Sequence, residues 1–97
     1  MEELTGFQWD LICVLCGLDE PKGMTVQEEL TEYYGSEVLH ARVYQNLDSL
    51  VESGLVEKGE QDSRTNFYRV TDDGRRVLAE RIEWKRQYLD ASPVDAD

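Results

Sequence analysis

The chain has 97 residues, of which 40% are hydrophobic, and its formal net charge is −11. A chain of this length buries one modest core, which leaves no room for a separate catalytic domain. No apolar run approaches the roughly 18 residues that a membrane helix needs, and no basic leader precedes the first apolar segment. We therefore expect one cytoplasmic domain that contacts no membrane.

The negative charge is unevenly distributed along the chain. Residues 1–41 carry nine carboxylates and one lysine, whereas residues 42–89 carry nine acidic and nine basic side chains. The bulk charge argues against binding a polyanion, but the neutral second half does not. Strong acidity also suits a halophilic cell, because in molar salt the Debye length is about 3 Å and long-range repulsion is screened.

Two helices are predicted in the acidic half. Residues Thr5–Gln8 match the Thr-x-x-Gln capping box, and apolar residues at helical spacing extend this helix over residues 6–18. After a turn at residues 19–23, a second capping box at Thr25–Glu28 predicts the start of the next helix. Gly35 is expected to end that helix in the left-handed conformation.

A helix, a hairpin and a further helix are predicted in the second half. Helix three follows the linker 36–39 and continues to Gly54, its predicted stop. The β-prone runs Leu55–Lys58 and Phe67–Val70 flank a polar loop and predict a hairpin, and Thr71 opens helix four. This order predicts a mainly helical α+β fold, the winged helix-turn-helix, in which helix three enters the major groove of DNA.

The sequence resembles transcriptional regulators of the PadR type, particularly their short haloarchaeal members. Three stretches carry the resemblance and together cover most of residues 4–90: residues 5–11 with Gly17 and Leu18, residues 42–58, and residues 64–75. The resemblance implies a homodimeric, DNA-binding repressor that acts on a pseudo-palindromic operator. It also implies an additional C-terminal helix for dimerisation.

The outer face of helix three carries side chains that suit base recognition. Its apolar residues point to the core, which leaves a polar arc on the opposite side. Arginine pairs with guanine, and glutamine or asparagine with adenine, each at about 1–3 kcal/mol of discrimination. The predicted base-reading residues are Arg42, Gln45, Asn46 and Ser49. The alternative for this arc is a solvated polar face.

Side chains beside this arc and in the wing suit contact with the DNA backbone. His40 and Tyr44 lie at the edge of the core, where each either packs or directs its polar group to a phosphate. Basic and polar residues of the wing suit phosphate or minor-groove contact, although Glu60 and Asp62 nearby repel phosphate. The predicted wing contacts are Lys58, Arg64, Thr65 and Asn66.

Apolar surface that the core of one chain cannot cover predicts a homodimer. Helix one has a second apolar side, and helix four has a broad apolar arc, interrupted by Arg81 and Lys85, that a small domain cannot cover. We expect a DNA-binding domain over residues 1–74, a dimerisation helix over 75–90 and a flexible tail over 91–97. The predicted interface residues are Trp9, Ile12, Cys13, Cys16, Leu78, Ile82, Trp84, Tyr88 and Leu89.

The cysteines and tryptophans allow further interpretations. Cys13 and Cys16 form a C-x-x-C pattern, but a metal site needs more ligands and the chain adds only His40, so no metal or cofactor is predicted. Packing is the preferred interpretation of the thiols and a redox switch the alternative. Trp9 and Trp84 are either buried between subunits or line a pocket there for a small aromatic effector.

The sequence favours a binding protein over an enzyme. It has one histidine, and it contains no nucleophile elbow and no glycine-rich phosphate loop. Two hypotheses remain: a sequence-specific DNA-binding regulator, and a winged-helix module whose acidic surface binds a protein. Arg42, Gln45 and Arg64 in the neutral half favour the regulator.

Overall fold

The computed structural model describes residues 3–60 and 66–90. Within these ranges four helices and two strands follow in the order α1 Gly6–Gly17, α2 Gly23–Tyr34, α3 His40–Glu52, β1 Val56–Glu60, β2 Asn66–Val70 and α4 Asp72–Leu89. The strands form an antiparallel hairpin in which Val56 pairs with Val70. The mainly helical winged helix-turn-helix predicted from the sequence is confirmed.

The core forms where α1, α2 and α3 meet the hairpin. Burial of each large apolar side chain contributes about 1.5–3 kcal/mol, against which the cost of ordering the chain must be set. Ile12 is fully buried in this core because α2, α3, α4 and β2 all contact α1. The prediction that Ile12 lies at the dimer interface is therefore wrong. The largest fully buried side chains are Leu11, Ile12, Leu15, Val26, Leu30, Val43, Leu47, Leu50, Val56 and Tyr68.

The first two helices begin in different ways. The Thr5 capping box of α1 is confirmed, since Gln8 N–H donates to Thr5 Oγ1 at 3.2 Å and Thr5 N–H donates to Gln8 Oε1 at 3.0 Å. The α2 helix begins at Gly23, two residues before the predicted cap, and its N-cap Lys22 provides no side-chain hydrogen bond. Gly23 lies against the Tyr44 ring, where a Cβ atom would overlap it. This close contact joins the start of α2 to α3.

The turn between α2 and α3 is held by side chains of α2. Gly35 ends α2 with φ +73°, as predicted. Val38 N–H then donates to Thr31 Oγ1 at 3.1 Å, and the Val38 carbonyl accepts from Gln27 Nε2 at 2.8 Å. Leu39 is the N-cap of α3 and provides no side-chain hydrogen bond. The direction of α3 therefore depends on the anchored turn.

The ends of α3 and the hairpin meet the start of α4 in one joint. Gly54 terminates α3 with φ +80°, as predicted. Thr71 caps α4 by accepting from Gly74 N–H at 3.1 Å, and its hydroxyl donates to the Gly54 carbonyl at 2.8 Å. Gly74 lies so close to the Leu55 carbonyl that a Cβ atom would overlap it. The first turn of α4 is thus fixed to the base of the wing.

The remainder of α4 leaves the body of the protein. The helix is continuous from Asp72 to Leu89, so the predicted domain division at residue 74 falls within its first turn. It contacts α1 and β2, and every residue from Ile82 to Asp90 is exposed. In the part of the chain that the structure describes, no helix is both long and apolar enough to cross a membrane. The predicted tail 91–97 lies outside the described residues.

Candidate nucleic-acid interface

The buried side of α3 determines which side chains it presents outward. Val43, Leu47 and Leu50 are completely buried. Of the predicted base-reading residues, Arg42, Gln45 and Ser49 are exposed, in accord with the helical periodicity. Asn46 is half-buried, and its amide Nδ2 donates to the Arg42 carbonyl at 2.7 Å. The Asn46 side chain is thus engaged with its own helix.

The exposed side of α3 also carries two carboxylates that the predicted arc did not include. Asp48 and Glu52 are exposed on its second half, one and two turns beyond Gln45. A helical wheel centred on the three buried residues would have found them. Arg42 and Gln45 lie in the first half of the helix, and recognition helices contact bases chiefly through their N-terminal residues. The carboxylates disfavour phosphate contact by the second half.

Ser49 lines a cavity of about 380 Å³ beside the second half of α3. The cavity separates the C-terminal half of α3 from the starts of α1 and α4. Its lining is mixed, with apolar, hydroxyl and acidic side chains: Glu3, Leu4, Gln8, Ser49, Glu52, Ser53, Leu55 and Val77. Ser49 therefore lies near the carboxylates Glu3 and Glu52 and away from the first half of α3.

His40 and Tyr44 form an aromatic pair at the start of α3. Their ring centroids are 4.3 Å apart, and the Tyr44 ring also meets Tyr68 edge-on at 6.4 Å. The phenol end of Tyr44 lies against Gly23, the first residue of α2. The rings therefore pack, while the Tyr44 hydroxyl lies at the N-terminus of α2, where backbone N–H groups lack helical acceptors.

Arg42 lies over an aromatic ring of α1. Its guanidinium carbon is 4.0 Å from the centroid of Phe7, which in turn stacks with Tyr34 at 6.3 Å. The Tyr34 hydroxyl donates to an oxygen of Asp10. Burial and this hydrogen bond raise the pKa of Tyr34 to about 12, which keeps the phenol protonated as a donor. The cluster brings α1, α2 and α3 together beside the predicted base-reading arginine.

The two faces of the hairpin carry different charged side chains. Lys58 is exposed and pairs across the hairpin with Tyr68, which is buried. Burial, with a smaller effect of the Asp48 charge, raises the pKa of Tyr68 to about 12. Asn66 is exposed at the start of β2. The predicted contacts Arg64 and Thr65 lie outside the described residues.

Arg69, on the other face of the hairpin, is engaged in ion pairs. Its guanidinium lies 3.0 Å from Glu20 and 3.3 Å from Glu57. The adjacent Tyr68 N–H donates to the Pro21 carbonyl at 3.0 Å. These contacts join the hairpin to the loop before α2 and place Arg69 beside two carboxylates. Sequence spacing offered no signal for it, because Glu20 lies 49 positions away.

A second candidate surface is formed by the far half of α4. The side chains of Trp84 and Tyr88 meet edge-on at 5.2 Å and are 53% and 67% exposed. Ile82 and Leu89 are exposed beside them. On α1, Cys13 is exposed as well. The remaining predicted interface residues Trp9, Cys16 and Leu78 are partly covered by the chain's own core.

The boundary between α1 and α4 contains an unusual pair. The Arg81 guanidinium lies 4.7 Å from the centroid of Trp9, and Trp9 Nε1 and Arg81 Nε are buried without a hydrogen-bond partner among the described residues. Within residues 3–60 and 66–90, Trp9 and Trp84 form no ring pair, so the effector pocket remains a prediction.

Burial raises the pKa of the Cys16 thiol, which disfavours its reactive form. Within residues 3–60 and 66–90, no three His, Cys, Asp or Glu side chains form a cluster that could hold a metal ion.

Comparison with known families and structures identifies relatives of this fold. Residues 11–80 match the family model described as the transcriptional regulator PadR-like family. No curated protein shows significant similarity to the chain.

Solved structures of the haloarchaeal regulator RosR from H. salinarum are similar over nearly the whole chain. RosR in its complex with S1 is 45% identical, with 92% of this chain and 79% of that chain covered and a TM-score of 0.86. RosR grown from NaBr is 44% identical, with 94% and 82% covered and a TM-score of 0.86. A PadR family regulator from Eggerthella lenta DSM 2243 is 25% identical, with 82% and 74% covered and a TM-score of 0.66.

Proposed function

Because the chain belongs to the PadR-like family of DNA-binding transcriptional regulators, which are not enzymes, we propose that it recognises a specific DNA sequence as a homodimer. The first half of α3 enters the major groove. The observation that carries this assignment is the outward presentation of Arg42 and Gln45 on a helix whose opposite side is completely buried. A rigid helix with polar donors on its outer face has the geometry that base reading requires.

Groups around α3 contact the phosphates in this proposal. The Tyr44 hydroxyl lies beside the first residue of α2, whose N-terminal N–H groups favour an anion. Lys58 is exposed on the hairpin face that carries Tyr68, and Tyr68 meets Tyr44. His40, which stacks on Tyr44, extends the same surface. These groups supply affinity that is independent of sequence, whereas Arg42 and Gln45 supply discrimination.

The second copy of the chain covers the apolar side chains at the far end of α4. Trp84, Tyr88 and Leu89 are more than half exposed, and a monomer rarely exposes such a cluster without a binding role. A two-fold dimer would present two α3 helices to half-sites about 34–36 Å apart, which predicts a pseudo-palindromic operator. A small aromatic effector between Trp9 and Trp84 would bind only in the assembled dimer.

In this proposal the protein acts in the cytoplasm and represses transcription by occupying such an operator. Transcription in vitro from a template that contains the selected sequence tests the direction of regulation. We expect added protein to reduce the transcript from that template and to leave a template with a scrambled site unchanged. Increased transcription would show activation instead.

Selection of bound sequences from random DNA in concentrated KCl tests the main proposal. We expect enrichment of a two-fold symmetric sequence. Arg42→Ala and Gln45→Ala should each weaken binding to that sequence by about 5- to 150-fold, the equivalent of 1–3 kcal/mol, with much smaller effects on random DNA. Arg76→Ala is the matched control, since it removes an exposed positive charge from the polar side of α4.

Two results would contradict the proposal in different ways. If no sequence is enriched, the alternative of a protein-interaction module gains support. If Arg42→Ala and Gln45→Ala weaken binding to selected and random DNA equally, α3 does not read bases. Lys58→Ala should weaken binding to both DNAs by a similar factor, because it removes a phosphate contact.

A further inference from the structure

We propose that Phe7 of α1 is a positioning residue that holds Arg42 ready for base recognition, an inference that rests on the proposed DNA-binding role of α3. The Arg42 guanidinium lies 4.0 Å from the Phe7 centroid. Phe7 is only 7% exposed, whereas Arg42 is exposed. Arg42 forms no salt bridge with any residue that the structure describes. The aromatic ring is thus the contact that fixes the guanidinium.

The ring itself is held from two sides. Phe7 belongs to the hydrophobic core and stacks with Tyr34 near the end of α2. The Tyr34 hydroxyl donates to Asp10, one turn after Phe7 on α1. These contacts immobilise the ring against two helices. A flexible side chain of α3 is therefore placed on a rigid support that belongs to the other helices.

Stacking leaves the hydrogen-bonding edge of the guanidinium available. The guanidinium carbon lies over the ring, and a guanidinium that stacks on an aromatic face keeps its in-plane N–H donors free for a bidentate pair with guanine. An arginine that is already ordered loses less conformational freedom when it binds. The expected contribution is about two- to five-fold in affinity for the specific sequence, the range of an exposed cation–π contact.

A double-mutant cycle in the full-length protein tests this inference. Phe7→Leu and Phe7→Met keep an apolar side chain in the core but remove the ring. We expect each to weaken binding to the selected sequence by about two- to five-fold and to leave binding to random DNA unchanged. In the Arg42→Ala background, the same Phe7 substitutions should have no further effect, because the residue that Phe7 positions is absent.

The outcomes separate this inference from the proposed function. If Arg42→Ala weakens specific binding while the Phe7 substitutions do not, or strengthen it, Phe7 does not position Arg42 and the role of α3 still stands. Equal losses from the Phe7 substitutions with and without Arg42 would show a general structural role and overturn the inference. If Arg42→Ala has no effect on specific binding, both proposals fail.

A measurement without DNA tests the contact independently of the stability of the variants. The guanidinium carbon of Arg42 lies over an aromatic ring, so we expect the ring current to shift the NMR resonance of the adjoining Nε–H proton upfield in the wild-type protein. The reference is the Arg42 resonance of the same protein unfolded in urea, where the contact with Phe7 is lost. An Arg42 resonance without an upfield shift would overturn the inference.

Discussion

The helices α3 and α4 differ in what covers their apolar sides. In α3, three apolar residues are completely buried by the rest of the chain, and the exposed side is polar. In α4, Gly74 is the one buried residue among those described, and large apolar side chains remain exposed beyond Arg81. The α3 helix has its protein neighbours within one chain, whereas the second half of α4 lacks them.

This difference separates two kinds of binding surface. A polar surface on a helix that the core already holds suits DNA, because the donors are presented without the helix moving. An apolar surface on a projecting helix suits a second protein chain, because its burial releases water. The comparison predicts that substitutions on α4 change assembly, whereas substitutions on the exposed side of α3 change sequence recognition.

The largest effect is expected from Trp84→Glu, which should convert the proposed homodimer to monomers. A buried aromatic residue at the centre of an interface contributes about 2 kcal/mol or more, so the dimer dissociation constant should rise at least about 30-fold. Sedimentation at micromolar concentration measures the change. Gln87→Glu adds the same charge on the polar side of α4 and should leave the dimer intact. An unchanged dimer in Trp84→Glu would place the interface elsewhere.

A smaller effect, a loss of folding stability, is expected from substitution at the joint that fixes the first turn of α4. In Gly74→Ala, the added Cβ atom meets the Leu55 carbonyl, and backbone does not give way as a flexible side chain does. We expect the free energy of unfolding to fall by about 1–3 kcal/mol in chemical denaturation. The control is Gly17→Ala, where nothing lies within 4 Å of the added atom. Equal effects of the two substitutions would show that the joint is not tightly packed.

The dependence of folding stability and DNA binding on KCl concentration tests the effect of the acidic surface. Raising KCl from about 0.1 M to about 3 M screens repulsion among the carboxylates, so the melting temperature should rise by about 4–8 °C, equivalent to about 1 kcal/mol. Specific DNA binding should also strengthen, because the few basic groups near α3 give only a shallow opposing slope from counterion release. A flat or falling melting temperature, with tightest binding at the lowest salt, would contradict a halophilic adaptation.

The smallest effects concern helix caps. Leu39→Ser should increase the free energy of unfolding by about 0.5–1 kcal/mol, because it gives α3 the side-chain acceptor that Leu39 lacks. Thr5→Ala should decrease it by about 1 kcal/mol, because the capping box of α1 is lost. Thermal and urea unfolding compare the two variants. A loss of stability in Leu39→Ser would show that the exposed leucine makes a contact, such as one in the dimer.

Much of the candidate site follows from local sequence patterns. Periodicity in α3 correctly distinguishes the buried residues from exposed Arg42 and Gln45. It does not reveal that Asn46 bonds to its own helix or that Arg42 lies on Phe7. Those contacts depend on how α3 turns against α1, and the position of α1 is set by the whole core.

The order of the elements and most of their ends could be predicted from sequence, since these features depend on interactions within a few residues. The capping box at Thr5, the left-handed turns at Gly35 and Gly54, and the Thr71 cap are examples. The contact of Gly23 with the Tyr44 ring and the burial of Ile12 within one chain could not be predicted in this way. These features depend on atoms that are distant along the chain and become neighbours only when the helices pack around a common core.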